Sequence, residues 1–400
     1  MREPGTGNPY LLVFSHLRWN FVFQRPQHLL TRMTAHYRVL FIEEPVPGGK
    51  DGYKAAVSHG VTVVTPELGG EWNDRSARIT RIIDSVVADY GVTRYHSWYY
   101  TPMFLPETRH LKPELVVFDC MDELSAFKFA PPELIALERE LLAKADVVFT
   151  GGPSLYAAKK DKHHNIHCFP SSIDYAHFAK ARANLKDPED QRAAGRPRVG
   201  FFGVIDERFD AELLRETARM MPGVHFVMVG PVVKIDPATL PQAPNIHYMG
   251  QRDYSDLPAF ISNWDVAMMP FALNESTRFI SPTKTPEYLA AGRPVVSTPV
   301  TDVVHTYGDF RKVAIVRSAR QFKAAIEEFL EDGPEGWGEV DAYLAGMSWQ
   351  KTVEDMVAVI RRTLARSRHV YRQRVHPARA ARPALSGTGS TAAAKALDYR

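Results

Sequence analysis

The chain is short of cysteine and of long apolar runs, and each shortage excludes a class of protein. Its 400 residues include two cysteines, Cys120 and Cys168, far apart and without CxxC or Cys/His spacing. That argues against a disulfide framework or a zinc site and fits a reducing cytoplasm. No stretch approaches the roughly 18 consecutive apolar residues of a membrane span, and no basic-then-apolar leader opens the chain. No GxGxxG follows either opening strand, no GxxxxGK[ST] occurs and GxSxG is absent. Nicotinamide, P-loop and serine-hydrolase chemistries are therefore disfavoured.

What is present is the composition of a soluble globular protein, 45% hydrophobic and 24% charged. Four hundred residues exceed one ordinary core, so two domains are expected. The net charge of +3 hides an asymmetry. Residues 361–400 carry eight arginines from Arg361 to Arg382, with Lys395 and Arg400 against Asp398 alone, so the body before them is acidic. Such a tail suits peripheral contact with an anionic membrane, at the inner face of a cytoplasmic protein; the alternative is a merely solvated tail.

Apolar periodicity predicts strands at Tyr10 to Phe14, Arg38 to Ile42, Val61 to Val64, around Trp98 to Tyr100, Leu115 to Phe118 and Asp146 to Thr150. Helical spacing falls between them, at Pro26 to His36, Ser76 to Tyr90, Pro132 to Lys144 and onward from Pro153. After an irregular stretch the alternation restarts with strands at Val199 to Phe202, His225 to Val229, Ile246 to Met249, Val266 to Met269, Val295 to Thr298 and Val313 to Val316. Strands alternating with helices imply parallel sheets covered on both faces. The expected organisation is an α/β chain of two doubly wound, Rossmann-like domains facing across a cleft. Residues 9–180 form the first, 181–197 a linker, 198–348 the second and 349–366 a final helix. Residues 367–400, without apolar periodicity, read as a disordered basic tail.

Polar clusters recur where strands end, which is where open parallel sheets bind ligands. They are Ser15 to Arg18, Asp119 to Glu123, Gly203 to Arg208, Gly230-Pro231, Gly250 to Asp253 and 281–287. The last is the most pointed. Ser281-Pro282-Thr283-Lys284 suits a helix start, whose free N–H groups and dipole favour an anion. Glu287 stands one turn further in, where a carboxylate can receive two hydroxyls of a sugar diol. Thr150-Gly151-Gly152-Pro153 resembles a phosphate loop but reads rather as a plain strand-to-helix turn. Trp19, Trp98, Tyr99 and Tyr100 are candidates for a sugar-stacking wall or for core.

These segments, in order, resemble the donor domain of GT-B glycosyltransferases, closest to the retaining family 4 type. Phe169-Pro170-Ser171-Ser172-Ile173-Asp174, Phe201-Phe202-Gly203 with Asp206 to Arg208, Val229-Gly230-Pro231, Asp265-Val266 with Met269-Pro270, and Glu287 to Val296 each match a family segment. Ser348-Trp349 is similar to the start of the family's helix that crosses back onto the first domain. SHLRWNFVFQRPQHL and FDCMDEL resemble a bacterial subgroup of cell-surface carbohydrate assembly. Two departures matter: the first of the family's paired glutamates is Phe279 here, and the arginine–lysine pair of its donor loop is displaced, leaving Arg208 as the loop's only cation.

The resemblance implies transfer from a UDP- or GDP-sugar to a carbohydrate or lipid-linked acceptor, with retention; the absence of a DxD and the helix start at 281–284 with Lys284 point to transfer without metal, and neither another cofactor nor a nucleic-acid partner is expected. It assigns the donor site to Gly203, Arg208, Pro231, Arg252, Ser281, Thr283, Lys284 and Glu287. Lys284, Arg208, His16 and Asp122 are the candidates for the catalytic groups. Arg18 and Arg25 are candidates for contact with diphosphate or an acidic acceptor, Arg25 alternatively pairing with Glu43 or Glu44. A GT-B sugar-nucleotide 2-epimerase and a non-catalytic binding scaffold stand as alternatives.

Overall fold

The computed structural model describes residues 7–333 and 335–375, the last eight of these by backbone alone. The first domain's sheet contains β1 (Tyr10–Phe14), β2 (Arg38–Ile42), β3 (Val46–Gly48), β4 (Gly52–Ser58), β5 (Val61–Gly69), β6 (Tyr95–Tyr99), β7 (Leu115–Cys120), β8 (Val147–Thr150) and β9 (Ile166–Cys168). Their order is β3-β5-β2-β1-β6-β7-β8-β9, with β4 antiparallel to β5 and the other pairings parallel. The second sheet holds β10 (Arg198–Phe202), β11 (His225–Val229), β12 (Ile246–Gly250), β13 (Val266–Met269), β14 (Val295–Ser297) and β15 (Val313–Ile315). It is wholly parallel, in the order β12-β11-β10-β13-β14-β15.

In both sheets the strand order reverses beside the first strand, between β1 and β6 and between β10 and β13. The central strands β1, β6 and β10 are buried at every residue because helices cover both faces. That burial is why none of them shows a polar–apolar alternation, β1 reading as an unbroken apolar run.

The final helix, Trp349–Val375, returns to the first domain. Trp349, Val353, Met356, Val357 and Ile360 recur at three- and four-residue spacing and pack into a cluster with Leu29, Leu30, Met33 and Trp98. The Trp349 ring stacks on His28 at 4.7 Å. The helix passes the expected end at Arg366 because neither proline nor glycine interrupts it before Pro377. Part of the expected disordered tail is therefore helical; residues 376–400 lie outside the described residues.

Other elements depart from the periodicity. The hairpin of β4 and β5 turns at His59 and Gly60, both at positive φ, and β4 is largely exposed, so no apolar alternation announces it. Thr301–Tyr307 and Trp337–Ala345 are further helices outside the expected set. The 181–197 linker is anchored rather than loose. Trp264 donates its indole N–H to Gln191 at 2.7 Å, and Arg198 pairs with Asp187 at 2.7 Å.

Candidate functional site

The two reversal points face one another across a cleft with about 1220 Å³ of open space. The first domain lines it with Phe23, Arg25, Asp122, Gly151 and Ser171 among others, and the second with Gly203, Arg208, Pro231, Arg252, Tyr254, Ser281, Thr283, Lys284 and Glu287. All the expected donor-site residues thus share one cavity.

Lys284 opens the helix Lys284–Ala290, and Pro286 occupies its first turn at no hydrogen-bonding cost. The lysine lies flat across the end of β10 because Gly203 has no side chain. A Cβ there would stand 2.1 Å from Lys284 Cε, and φ is +141°. Gly230, at φ +147°, is required in turn, since its Cβ would stand 1.9 Å from the Gly203 carbonyl oxygen. Two facing glycines therefore lay the ammonium between Phe201 and Phe271, with Nζ 5.9 Å from each ring centroid.

Burial holds Lys284 below the ordinary lysine range, and Glu287 one turn on offsets part of that shift. Burial likewise raises Glu287, with Lys284 and the Thr283 hydroxyl opposing it. Glu287 is 3% exposed, and its Oε2 finds no hydrogen-bond partner among the described residues. When Glu287 is ionised, that oxygen is acceptor-only and suited to a ligand hydroxyl.

Arg208 is oriented by Asp206, which receives Nε at 3.0 and 3.2 Å and Nη2 at 2.7 Å. Its guanidinium lies 5.4 Å from the Phe127 ring of the first domain. Asp122, two residues past β7, lies across from it. Burial pushes this carboxyl up to about 6, opposed by Arg208 and Arg25 and reinforced by Asp206. Arg252 pairs with the linker's Asp190 and lies 5.5 Å from the Phe260 ring. Gln251 donates to the Phe21 carbonyl of the first domain.

Several expected placements are corrected. His16 lies two residues past β1 and is not among the residues lining the cleft. Burial and nearby Lys234 lower it to about 4, so it is a neutral group whose Nδ1 has no partner among the described residues. Arg18 is engaged by Glu43 at 3.2 Å and by the Pro45 carbonyl at 3.3 Å. Arg25 meets neither Glu43 nor Glu44. It grips Asp119 through Nε at 3.2 Å and Nη2 at 2.9 Å, and gives Nη1 to the Phe169 carbonyl at 2.7 Å. Trp19, Trp98, Tyr99 and Tyr100 are core, not a wall, all being at most 4% exposed. Phe279 turns away from the cleft and packs on the first domain's apolar cluster around Phe14 and Leu155.

Sequence reasoning missed the aromatic lining. Phe23 stacks on Tyr254 at 4.5 Å, joining the two domains, and His177 stacks on Tyr254 at 4.2 Å. No local pattern announces this cluster, because its rings come from three separate segments.

Comparison with known proteins places this geometry. The sequence model of the family described as Glycosyl transferases group 1 matches residues 196–332. The match falls on the second domain, which is similar to that family's domain over this span. Its span contains Gly203, Arg208, Lys284 and Glu287, which line the second domain's side of the cleft.

A Bacillus subtilis (strain 168) protein, TuaH, whose name proposes a glycosyltransferase of teichuronic acid biosynthesis, is 25% identical over 219 residues. That alignment takes in 50% of this chain and 54% of the relative, so the chain spans about half the length of the curated relative it matches. Among solved structures, an α,α-trehalose-phosphate synthase (UDP-forming) from Burkholderia vietnamiensis superposes with a TM-score of 0.67 at 16% identity, over 89% of this chain and 99% of that one. Sucrose-phosphate synthase (tll1590) from Thermosynechococcus elongatus gives 0.65 at 17% identity, over 90% and 100%. Anabaena Alr3699/HepE in complex with UDP and glucose gives 0.62 at 13% identity, over 88% and 99%. At these identities the likeness establishes the fold, which is GT-B with its group 1 domain second.

Proposed function

We propose that this chain is a glycosyltransferase that moves a sugar from a nucleoside-diphosphate donor to a carbohydrate or lipid-linked acceptor in cell-surface polysaccharide assembly. The observation that carries the reading is Lys284, laid across Gly203 beside the turn Ser281–Thr283 and one turn from Glu287. Departure of a nucleoside diphosphate builds negative charge, and fixed cations aimed at that charge are usually the largest catalytic contribution. Lys284 and Arg208 receive the diphosphate, while Glu287 takes ribose hydroxyls. Asp122, on the opposite wall, orients the acceptor hydroxyl through its ionised form.

The names of the relatives support this choice of substrates. The HepE structure is described with UDP and glucose, and TuaH is named for a cell-surface polymer. Two cations at the diphosphate position supply charge that a divalent ion would otherwise bring, so we assign the transfer as metal-independent and, with the group 1 resemblance, as retaining. The protein then works in the cytoplasm at the inner membrane face, with the arginine-rich tail as contact. No helix among the described residues is long and apolar enough to cross a membrane.

The test is incubation with UDP- and GDP-sugars and a panel of saccharide acceptors, with and without EDTA, reading the product anomer by NMR. A retained anomer formed at equal rate in EDTA is expected. Epimerised donor formed without acceptor, or nucleotide binding with no transfer to any acceptor, refutes the assignment.

A further inference from the structure

The first-domain helix Pro153–Lys159 begins at the Thr150-Gly151-Gly152-Pro153 turn, and its N-cap residue, Gly152, has no side chain to receive the free N–H groups. The other domain supplies the missing acceptor. Asp302, second residue of the helix Thr301–Tyr307, accepts the Ser154 N–H through Oδ1 at 3.0 Å. It is 2% exposed. The hydroxyls of Ser154 and Ser281 also face its carboxyl group.

The contact closes directly behind the donor turn. A Cβ on Gly152 would stand 2.2 Å from Asp302 Oδ2 and 2.6 Å from Ser281 Cβ, so only glycine admits both residues. Ser171 of the first domain donates to the Ser281 carbonyl at 3.1 Å. Ser281 is thus held from the first domain by a hydrogen bond on one side and by contact with Gly152 on the other. Gly151, next in the chain, lines the cleft itself.

We infer that Asp302 is a positioning residue: by capping the first-domain helix across the interface, it fixes the donor turn Ser281–Lys284 in register with Asp122 on the facing wall. The inference rests on the donor reading of that turn. Its physical basis is that Lys284 and Asp122 belong to different domains, so their separation is only as well defined as the contacts joining those domains. A misplacement of about 1 Å can cost about 10²-fold in rate. Loss of a cap typically shifts an equilibrium by about fivefold to tenfold. Asp302 touches neither donor nor acceptor and acts through Ser281.

The experiment uses the full chain with the variants Asp302→Ala, Asp302→Asn and Gly152→Ala. Hydrogen exchange over residues 152–156, the affinity for UDP and GDP, and kcat are read for each. Asp302→Ala is expected to expose the Ser154 amide to exchange and to lower kcat about tenfold, while nucleotide affinity moves less than threefold. Asp302→Asn keeps an oxygen for the same N–H and should restore exchange protection and most of kcat. Gly152→Ala, which wedges the interface while leaving the carboxylate in place, should behave like Asp302→Ala.

Wild-type exchange and kcat in Asp302→Ala or in Gly152→Ala overturn the inference. So does an Asp302→Asn variant as impaired as the alanine, which would make charge rather than capping the operative property. Should Asp302→Ala fail to fold, the asparagine and glycine variants decide. Exchange and nucleotide affinity need no turnover, so a chain that transfers no sugar still tests the latch separately from the transferase reading.

Discussion

Replacing Lys284 with methionine removes the charge and keeps most of the aliphatic stem that lies over Gly203. A unit charge about 4 Å from a phosphoryl oxygen, at an effective dielectric near 20, contributes about 4 kcal/mol. Part of that is offset, because Glu287 stands one turn away and because burial already holds the ammonium below the ordinary lysine range. A net loss of about 3 kcal/mol corresponds to roughly 10²-fold in kcat, the size typical of removing one donor to a developing anion. The assay is initial-rate kinetics with the donor identified in the transfer screen, alongside nucleotide affinity by calorimetry. The expected pattern is a kcat loss larger than the loss of affinity, since charge grows on the diphosphate as the bond breaks. Gly203→Ala should give part of the same defect, because its Cβ would stand 2.1 Å from Lys284 Cε. A Lys284→Met enzyme within threefold of wild type would refute the reasoning.

The remaining outcomes concern acid chemistry and architecture. Burial raises the Asp122 carboxyl to about 6 from an ordinary value of 3.8, so the fold disfavours its ionisation. The native state is therefore favoured with Asp122 protonated, and stability contributed at that group is lost as pH rises from about 4 through 6. Asp122→Asn should flatten that slope in urea melts, and kcat/KM of the wild type should rise through pH 6. Arg25→Ala leaves Asp119 charged and buried, the two side chains being 3% and 0% exposed. A loss of about 3–5 kcal/mol is expected by denaturant titration. Trp349→Ala opens a cavity where the final helix meets His28 and should cost about 3–5 kcal/mol in the same measurement.

Much of the candidate site was legible because its chemistry is local. Ser281 to Lys284 and Glu287 lie within seven residues, and the helix that carries them follows from its own prolines and terminating glycine. Gly203 and Arg208 follow one strand in the same manner. The placement of Arg25 was not legible, because Glu43, Glu44 and Asp119 are equally plausible partners by charge. Only the parallel pairing of β1, β6 and β7 brings the end of β7 under the helix Arg25–Met33. The aromatic run at Trp98 to Tyr100 misled for a related reason: both faces of β6 are covered, so alternation cannot separate core from wall.

The sequence by itself determined most of the strands and helices, the parallel alternation that joins them and the turn at 281–284, since each is set by short-range periodicity or by residues a few positions apart. Tertiary structure alone decided what crosses the cleft. Phe23 meets Tyr254, Asp122 faces Arg208, Phe279 turns onto the other domain, and Asp302 caps a helix that begins nearly 150 residues before it. Those contacts depend on how two separate sheets are oriented. That orientation is fixed by interdomain contacts such as these and by a returning helix, and no local pattern in the chain encodes it.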